Sequence, residues 1–139
     1  MAVYVDPLFE WPLELTAPAA RAVARRNGGL WCHLVADSIE ELHGFADRIG
    51  LPRALIQGGA KVVHFDLTPG MRRRAVCFGA VEITPLRAAE IFREQRKQAA
   101  RRRGVDYCRE CGCTDDRACE GGCHWVEPDL CSQCAGVGV

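Results

Sequence analysis

The sequence lacks the features that carry a protein into or across a membrane. No apolar run reaches the roughly 18 residues of a membrane-spanning helix. Residues 1–15 contain three acidic side chains and no basic one, unlike the start of a secretory signal peptide. Internal repeats and low-complexity tracts are also missing. We therefore expect a globular protein of the cytoplasm, where thiols stay reduced.

Cysteine is scarce in most of the chain and abundant at its end. Only two of the nine cysteines, Cys32 and Cys77, precede the segment between Cys108 and Cys134 that holds the other seven. Clustered cysteines in a reducing compartment bind metal more often than they form disulfides. The seven therefore predict a local metal site. Cys32 and Cys77 stand alone among apolar residues and are expected to be buried structural thiols.

The net charge of zero hides an uneven distribution. Residues 85–107 carry seven basic and three acidic side chains, whereas residues 108–139 carry two basic and six acidic ones. Together with the cysteine pattern, this predicts three parts. They are a domain over 1–84, a basic helix or linker over 85–104, and a cysteine-rich metal-binding module over 105–139.

Strands alternate with helices in the first part of the chain. Short apolar stretches predict strands over 3–5, 31–36, 54–57, 61–67 and 80–83. Capping residues and helical periodicity predict helices over 17–26, 39–49, 69–79 and 85–103. Ser38 and Glu41 form a capping box at the clearest of these. The predicted fold is a small layered domain, α/β or α+β, followed by a long helix and a small zinc-ribbon-like metal module.

The outer tail cysteines form two C-x2-C pairs separated by nineteen residues. A C-x2-C turn points two sulfurs at one ion, and two such turns complete the tetrahedral shell of a structural zinc site. The predicted ligands are Cys108, Cys111, Cys131 and Cys134.

The inner tail residues leave several hypotheses open. A second zinc site could be formed by Cys113, Cys119, Cys123 and His124. The inner cysteines could instead be free or packing thiols. A minority hypothesis is an iron–sulfur cluster formed from some of the seven thiolates. The cofactor prediction is therefore one or two Zn²⁺ ions, with the iron–sulfur cluster as the alternative.

Several polar residues of the first domain are candidates for a catalytic or ligand site. His64 and Asp66 share one face of a predicted strand. His33 and Asp37 are an even number of residues apart along another, so their side chains are expected to point the same way. Arg73 lies in the first turns of a helix, where anions are favoured. If these side chains converge, they could bind a divalent metal or perform acid–base chemistry. Structural histidines and a solvated arginine face are the plainer interpretation.

The basic segment could contact a nucleic-acid backbone. Its candidate contacts are Arg93, Arg96, Lys97, Arg101, Arg102 and Arg103. The alternative is a solubilising face whose charge the acidic tail partly neutralises. The tail itself is too acidic to suit phosphate, so a host or phage protein is the expected partner, with Trp125 and Val126 as an apolar contact. The alternative is a passive cap in which Trp125 packs on its own metal site.

The tail pattern C-x2-C-G-C-T, followed by A-C-x-G-G-C-x-W-V-x-P-D-L-C-S-x-C, resembles a cysteine-rich tail of bacteriophage proteins. The first domain resembles a small phage and bacterial family of unknown function. The pieces that carry this resemblance are residues 3–6, 31–37, 41–43, 49–51, 57, 64–68 and 79–81. The two resemblances imply a phage-encoded protein acting in the host cytosol, and neither supplies a reaction.

Two function hypotheses follow. The first is a phage-encoded zinc-binding interaction protein that binds a host protein or a protein–nucleic acid complex. The second is a phosphoester hydrolase or nucleotide-binding protein that uses the His/Asp/Arg pocket of the first domain. The sequence leaves open whether the protein is an enzyme.

Overall fold

The structure is a computed structural model, and it describes residues 2–58 and 62–137. The described residues divide into two compact units, 2–58 with 63–85, and 62 with 86–137. The fold is mixed, with four α-helices and small β-sheets in these ranges.

The first unit is built on a mixed five-stranded sheet. Its strands are β1 (Val3–Val5), β2 (Phe9–Glu10), β3 (Leu30–Ala36), β4 (Phe65–Leu67) and β5 (Val81–Glu82). Strand β3 is central: β4 pairs antiparallel with one edge, and β1 and β2 pair antiparallel with the other. Strand β5 pairs parallel with β1. The break between β1 and β2 therefore lies opposite the middle of β3.

Three helices belong to this unit: α1 (Arg21–Arg26), α2 (Ile39–Ile49) and α3 (Pro69–Cys77). Ser38 caps α2 by accepting a hydrogen bond from the Glu41 backbone N–H at 3.2 Å. Gly50 ends α2 in the left-handed conformation, which a residue without Cβ adopts at little cost.

The hydrophobic core lies between one face of the sheet and these helices. Strand side chains alternate between the two faces. On β3 and β4, the residues that point to the core are buried, as are the inward residues of α2 and α3. This core includes Val5, Cys32, Leu34, Ala36, Leu42, Phe45, Ala46, Ile49, Phe65, Leu67 and Ala75. His33 and Asp66 alternate with core residues and therefore point to the opposite face.

Two predictions of secondary structure were wrong. The strand predicted over 54–57 is a 3-10 turn at Arg53–Leu55, which follows the fixed φ of Pro52, and Gln57 makes an isolated bridge to His64. The strand predicted over 61–67 begins at Phe65, and Lys61 lies outside the described residues. Strand β2, which pairs with the start of β3, lies in residues 6–15, where Pro7 and Pro12 predicted irregular chain.

The second unit contains α4 (Pro85–Arg103) and a two-stranded hairpin of β6 (Trp125–Glu127) and β7 (Leu130–Cys131). Its small core is made of buried cysteines with Trp125 and Leu130 packed against them. Among the helices of the described ranges, none combines the length and apolar character needed to cross a bilayer.

Candidate functional site

The tail folds so that its cysteine sulfurs converge. Cys108, Cys111, Cys131 and Cys134 form a group whose sulfur atoms all lie within 4.8 Å of one another. Two turns and the β6–β7 hairpin bring them together, because Cys131 ends β7 and the Arg109 N–H donates to the Asp129 carbonyl at 2.8 Å. The cysteine cluster has a geometry that can bind a metal ion.

A second group overlaps the first. It contains Cys111, Cys113, Cys119 and Cys131, again with all sulfur atoms within 4.8 Å. Cys123 lies beside this group, with its sulfur 3.8 Å from that of Cys113. His124 belongs to neither group of the described residues. Its side chain is exposed, and its backbone is held by Ser132, whose N–H donates to the His124 carbonyl at 2.7 Å.

Backbone N–H groups favour the thiolate form at the first cysteine of each C-x2-C turn. Burial opposes ionisation of Cys131, but hydrogen bonds led by the Cys134 backbone N–H lower its pKa to about 6. Burial likewise opposes ionisation of Cys108, yet the backbone N–H groups of its own turn and of Cys131 lower its pKa. The thiolate is the form that binds metals.

Three further tail thiols, those of Cys113, Cys119 and Cys134, stay neutral without a cation. Burial raises the pKa of Cys119 to about 12 and raises the pKa values of Cys113 and Cys134 as well, with neighbouring thiols adding to the effect. A bound metal ion supplies the charge that deprotonates a coordinating thiol. A cation at the grouped sulfurs would therefore favour the thiolate form of these three cysteines.

Helix α4 packs directly on the loop that carries Cys111 and Cys113. Arg96 Nε donates to the Cys111 carbonyl at 3.0 Å. Gly112, between them, has a φ of +79°, and a Cβ there would lie 2.9 Å from the backbone nitrogen of Lys97. Only glycine fits this contact without displacement.

Several of the residues predicted to meet partners make contacts within this unit, whereas Val126 is exposed. The Trp125 indole N–H donates to Asp115 at 2.6 Å, and Trp125 packs against the cysteines. Arg103 pairs with Asp116 at 2.6 Å, and Arg101 contacts Glu94. The pair of Arg103 with Asp116 is of the kind expected if the acidic tail neutralises basic side chains, whereas Glu94 belongs to α4 itself. The prediction of a protein or nucleic-acid partner stays a prediction.

A second polar cluster lies on the outer face of the first unit's sheet. His33, His64 and Asp66 place one ligand atom each within 4.8 Å of the others. Asp66 pairs with His33 across β3 and β4, and His64 precedes β4 by one residue on the same face. The Nε2 atoms of His33 and His64 lie 3.9 and 3.5 Å from Asp66 Oδ1.

Two neighbours orient these side chains. Asp6, in the break between β1 and β2, accepts the His33 backbone N–H at 2.6 Å and lies 2.7 Å from His33 Nδ1. An ionised carboxylate only accepts hydrogen bonds, so Nδ1 carries a proton, and in the neutral imidazole the lone pair is then on Nε2. Gln57 Nε2 donates to Asp66 Oδ2 at 2.7 Å, which leaves Oδ1 facing the imidazoles.

Asp37 and Arg73 are not brought into this cluster. Asp37 lies beyond the far end of β3, where it accepts hydrogen bonds from the Ala2 N–H and the Tyr4 hydroxyl. Arg73 is exposed on α3. Its neighbour Arg72 instead donates from Nε to the Asp6 carbonyl at 2.9 Å and holds the break between β1 and β2 in place.

Cys32 and Cys77, the two cysteines outside the tail, differ in burial. Cys32 is buried as expected, and this burial raises its pKa to about 12, so it is a neutral thiol beneath the cluster. Cys77 is exposed at the end of α3, contrary to the expectation that it would be buried. The apolar neighbours of Cys77 in sequence do not surround it in space.

Residues 18–97, more than half of the chain, match a family described as "Protein of unknown function (DUF4031)". The chain belongs to this family. His33, Gln57, His64 and Asp66 lie within the matched residues, whereas Asp6 and the cysteine-rich tail lie outside them. No curated protein and no solved structure gives a significant match. The resemblance of the tail to phage proteins stays a prediction.

Proposed function

We propose that this protein is a divalent-metal-dependent hydrolase whose cysteine-rich tail is stabilised by zinc. The observation that carries the catalytic part is the convergence of His33, His64 and Asp66 on the outer face of the sheet. Two imidazoles and one carboxylate are a ligand set of catalytic divalent metals, which leaves coordination positions open for water and substrate.

The spacing of the three ligand atoms supports a shared ion. A tetrahedral site with bonds of about 2.1 Å has ligand-to-ligand edges of about 3.4 Å. The two imidazole nitrogens lie 3.5 and 3.9 Å from Asp66 Oδ1, close to such an edge. Both separations exceed an ordinary hydrogen bond between these groups.

The surrounding residues supply the outer shell that metal ligands need. The carboxylate of Asp6 fixes the tautomer of His33, and Gln57 fixes the orientation of Asp66. Histidine ligands usually donate their other ring N–H to such a partner, which raises their basicity. Side-chain exposures of 28% for His33, 21% for His64 and 29% for Asp66 leave the site reachable by substrate.

A divalent ion held here would lower the pKa of bound water and polarise a substrate oxygen. Hydrolysis of a phosphoester would form a bond between the water oxygen and phosphorus and break the bond between phosphorus and the ester oxygen, which would leave as an alcohol with a proton from the attacking water. Phosphoesters are the first substrates to test, because one ion can neutralise phosphoryl charge and activate water together.

Zinc in the tail is supported by sulfur spacing. A tetrahedron with Zn–S bonds of about 2.3 Å has edges of about 3.8 Å. The sulfur of Cys111 lies 3.8 Å from that of Cys119 and 3.9 Å from that of Cys131. An iron–sulfur cluster would separate its cysteine ligands further, because sulfides and several irons lie between them.

Manganese binding tests the catalytic proposal. Full-length protein is first dialysed against a mild chelator until the site of His33, His64 and Asp66 releases any zinc, because zinc binds such ligands more tightly than manganese does. It is then titrated with Mn²⁺, which prefers nitrogen and oxygen ligands to thiolates, and the free-ion electron paramagnetic resonance signal is followed. We expect one bound Mn²⁺ per chain, none for His33→Ala/His64→Ala, and one for the control His43→Ala, which changes a histidine of α2 outside the cluster. With Mn²⁺ bound, the unaltered protein and the His43→Ala control should hydrolyse bis(p-nitrophenyl) phosphate, and His33→Ala/His64→Ala should not.

Equal Mn²⁺ binding by all three proteins, or none by the unaltered chain, would overturn the catalytic proposal. The hypothesis of a zinc-binding interaction protein would then be the better supported one. At present it has less support, because Trp125 and the basic side chains Arg96, Arg101 and Arg103 make contacts within their own unit.

A further inference from the structure

The two four-sulfur groups of the tail share Cys111 and Cys131. Three of the sulfurs form a nearly equilateral triangle: the edges are 3.8 Å for Cys111–Cys119, 3.9 Å for Cys111–Cys131 and 3.9 Å for Cys119–Cys131. These lengths match the face of a thiolate tetrahedron with Zn–S bonds of about 2.3 Å. Together with Cys113, these three sulfurs make up one four-sulfur group. The other group consists of Cys108 and Cys134 with the shared pair Cys111 and Cys131.

The number of cysteines favours two metal sites that share thiolate ligands. Two separate four-cysteine sites need eight thiolates, and residues 108–134 contain seven. Two sites that share two thiolates need six. The structure groups six: Cys108, Cys111, Cys113, Cys119, Cys131 and Cys134.

Cys123, the seventh cysteine of the tail, is not part of either four-sulfur group. It accepts the Cys119 backbone N–H at 3.4 Å, while its sulfur touches that of Cys113. His124 is exposed and belongs to neither group of converging ligand atoms among the described residues. A second site made of Cys113, Cys119, Cys123 and His124 is therefore less favourable than one completed by Cys111 and Cys131.

We propose that the tail holds two zinc ions that share the thiolates of Cys111 and Cys131. Cys108 and Cys134 complete the shell of one ion, and Cys113 and Cys119 that of the other. This inference rests on the proposed binding of zinc by the tail and deepens it. Six thiolates and two Zn²⁺ ions carry a net charge of −2, the same as one ion with four thiolates. The second ion thus adds a cross-link without adding net charge.

The test uses full-length protein carrying His33→Ala/His64→Ala, so that the first unit contributes no metal. Zinc is replaced by ¹¹³Cd, a spin-½ ion of similar coordination, and the one-dimensional cadmium spectrum is recorded. Two ions bridged by shared sulfurs should give two resonances, each split by coupling to the other. This measurement leaves every cysteine intact, so it does not depend on whether a cysteine variant folds.

Zinc counts on variants locate the ions. Cys113→Ser/Cys119→Ser should retain one of two zinc ions, and the control Cys77→Ser, which changes an exposed cysteine of the first unit, should retain both. A single zinc in the parent protein would overturn sharing while leaving the zinc-bound tail intact. Two uncoupled cadmium resonances would also overturn it. A parent protein without zinc would overturn both this inference and the proposed zinc-bound tail.

Discussion

Gly112 is the residue on which the packing of α4 against the cysteine loop depends most directly. Its φ of +79° is a conformation that residues with a Cβ rarely adopt. A Cβ added there would meet the Arg96 Cβ and the Lys97 backbone nitrogen, both at 2.9 Å, and the Arg93 carbonyl at 3.2 Å. Two of these neighbours are helix backbone and cannot move aside alone.

Replacing Gly112 with alanine should therefore incur two costs. Left-handed backbone costs a residue with a Cβ about 1–2 kcal/mol. Forcing a methyl group into a filled contact adds about 1–3 kcal/mol. Gly121→Ala is the matched control, because Gly121 has a φ of +81° but no atom lies within 4 Å of the place that its Cβ would occupy. It should incur only the first cost.

Competition with a zinc chelator measures the difference, because metal binding to a small module is coupled to its folding. Gly112→Ala should weaken the apparent zinc affinity by roughly 5- to 150-fold more than Gly121→Ala, the ratio that corresponds to about 1–3 kcal/mol. Equal losses in the two variants would show that α4 does not press on the loop, and the reasoning from this contact would fail.

Three further perturbations test the first unit. Asp6→Asn should weaken Mn²⁺ binding by about 10- to 100-fold, because His33 loses the carboxylate that fixes its tautomer, and unchanged affinity would refute that role. Phe65→Ala, at a side chain with 0% exposure, should lower the free energy of unfolding in urea by about 3–5 kcal/mol. Ser38→Ala should lower it by about 1 kcal/mol through loss of the hydrogen bond to the Glu41 N–H. A loss below 1 kcal/mol for Phe65→Ala, or none for Ser38→Ala, would contradict the packing or the cap described here.

The spacing of the tail cysteines predicted a metal-binding region, but not how its sulfurs are divided. Two C-x2-C pairs are recognisable because each turn is local. The membership of Cys113 and Cys119 depends on the path of the chain between the pairs, which spacing does not determine. The position of His124 depends on the register of the β6–β7 hairpin, which the spacing of the cysteines does not determine.

In the first unit, strand alternation correctly placed His64 and Asp66 on one face. The same parity argument joined His33 to Asp37, yet four residues of extended chain separate them by more than a side chain can span. The convergence of His33 with Asp66 comes from the pairing of β3 with β4. Sequence periodicity does not encode which strands pair.

Asp6 and Gln57 were overlooked as site residues for a related reason. Asp6 acts from a break between two short strands, and Gln57 from an isolated bridge to His64. Both positions are irregular, so no periodic pattern marks them. Their inclusion among the pieces that resembled a known family was the available signal.

The most direct test of the account is the zinc and iron content of full-length His33→Ala/His64→Ala protein purified under reducing conditions without chelator. The account predicts two zinc ions per chain and no iron, held by the six grouped cysteines. Iron in place of zinc, or a protein that folds its tail without any metal, would contradict it.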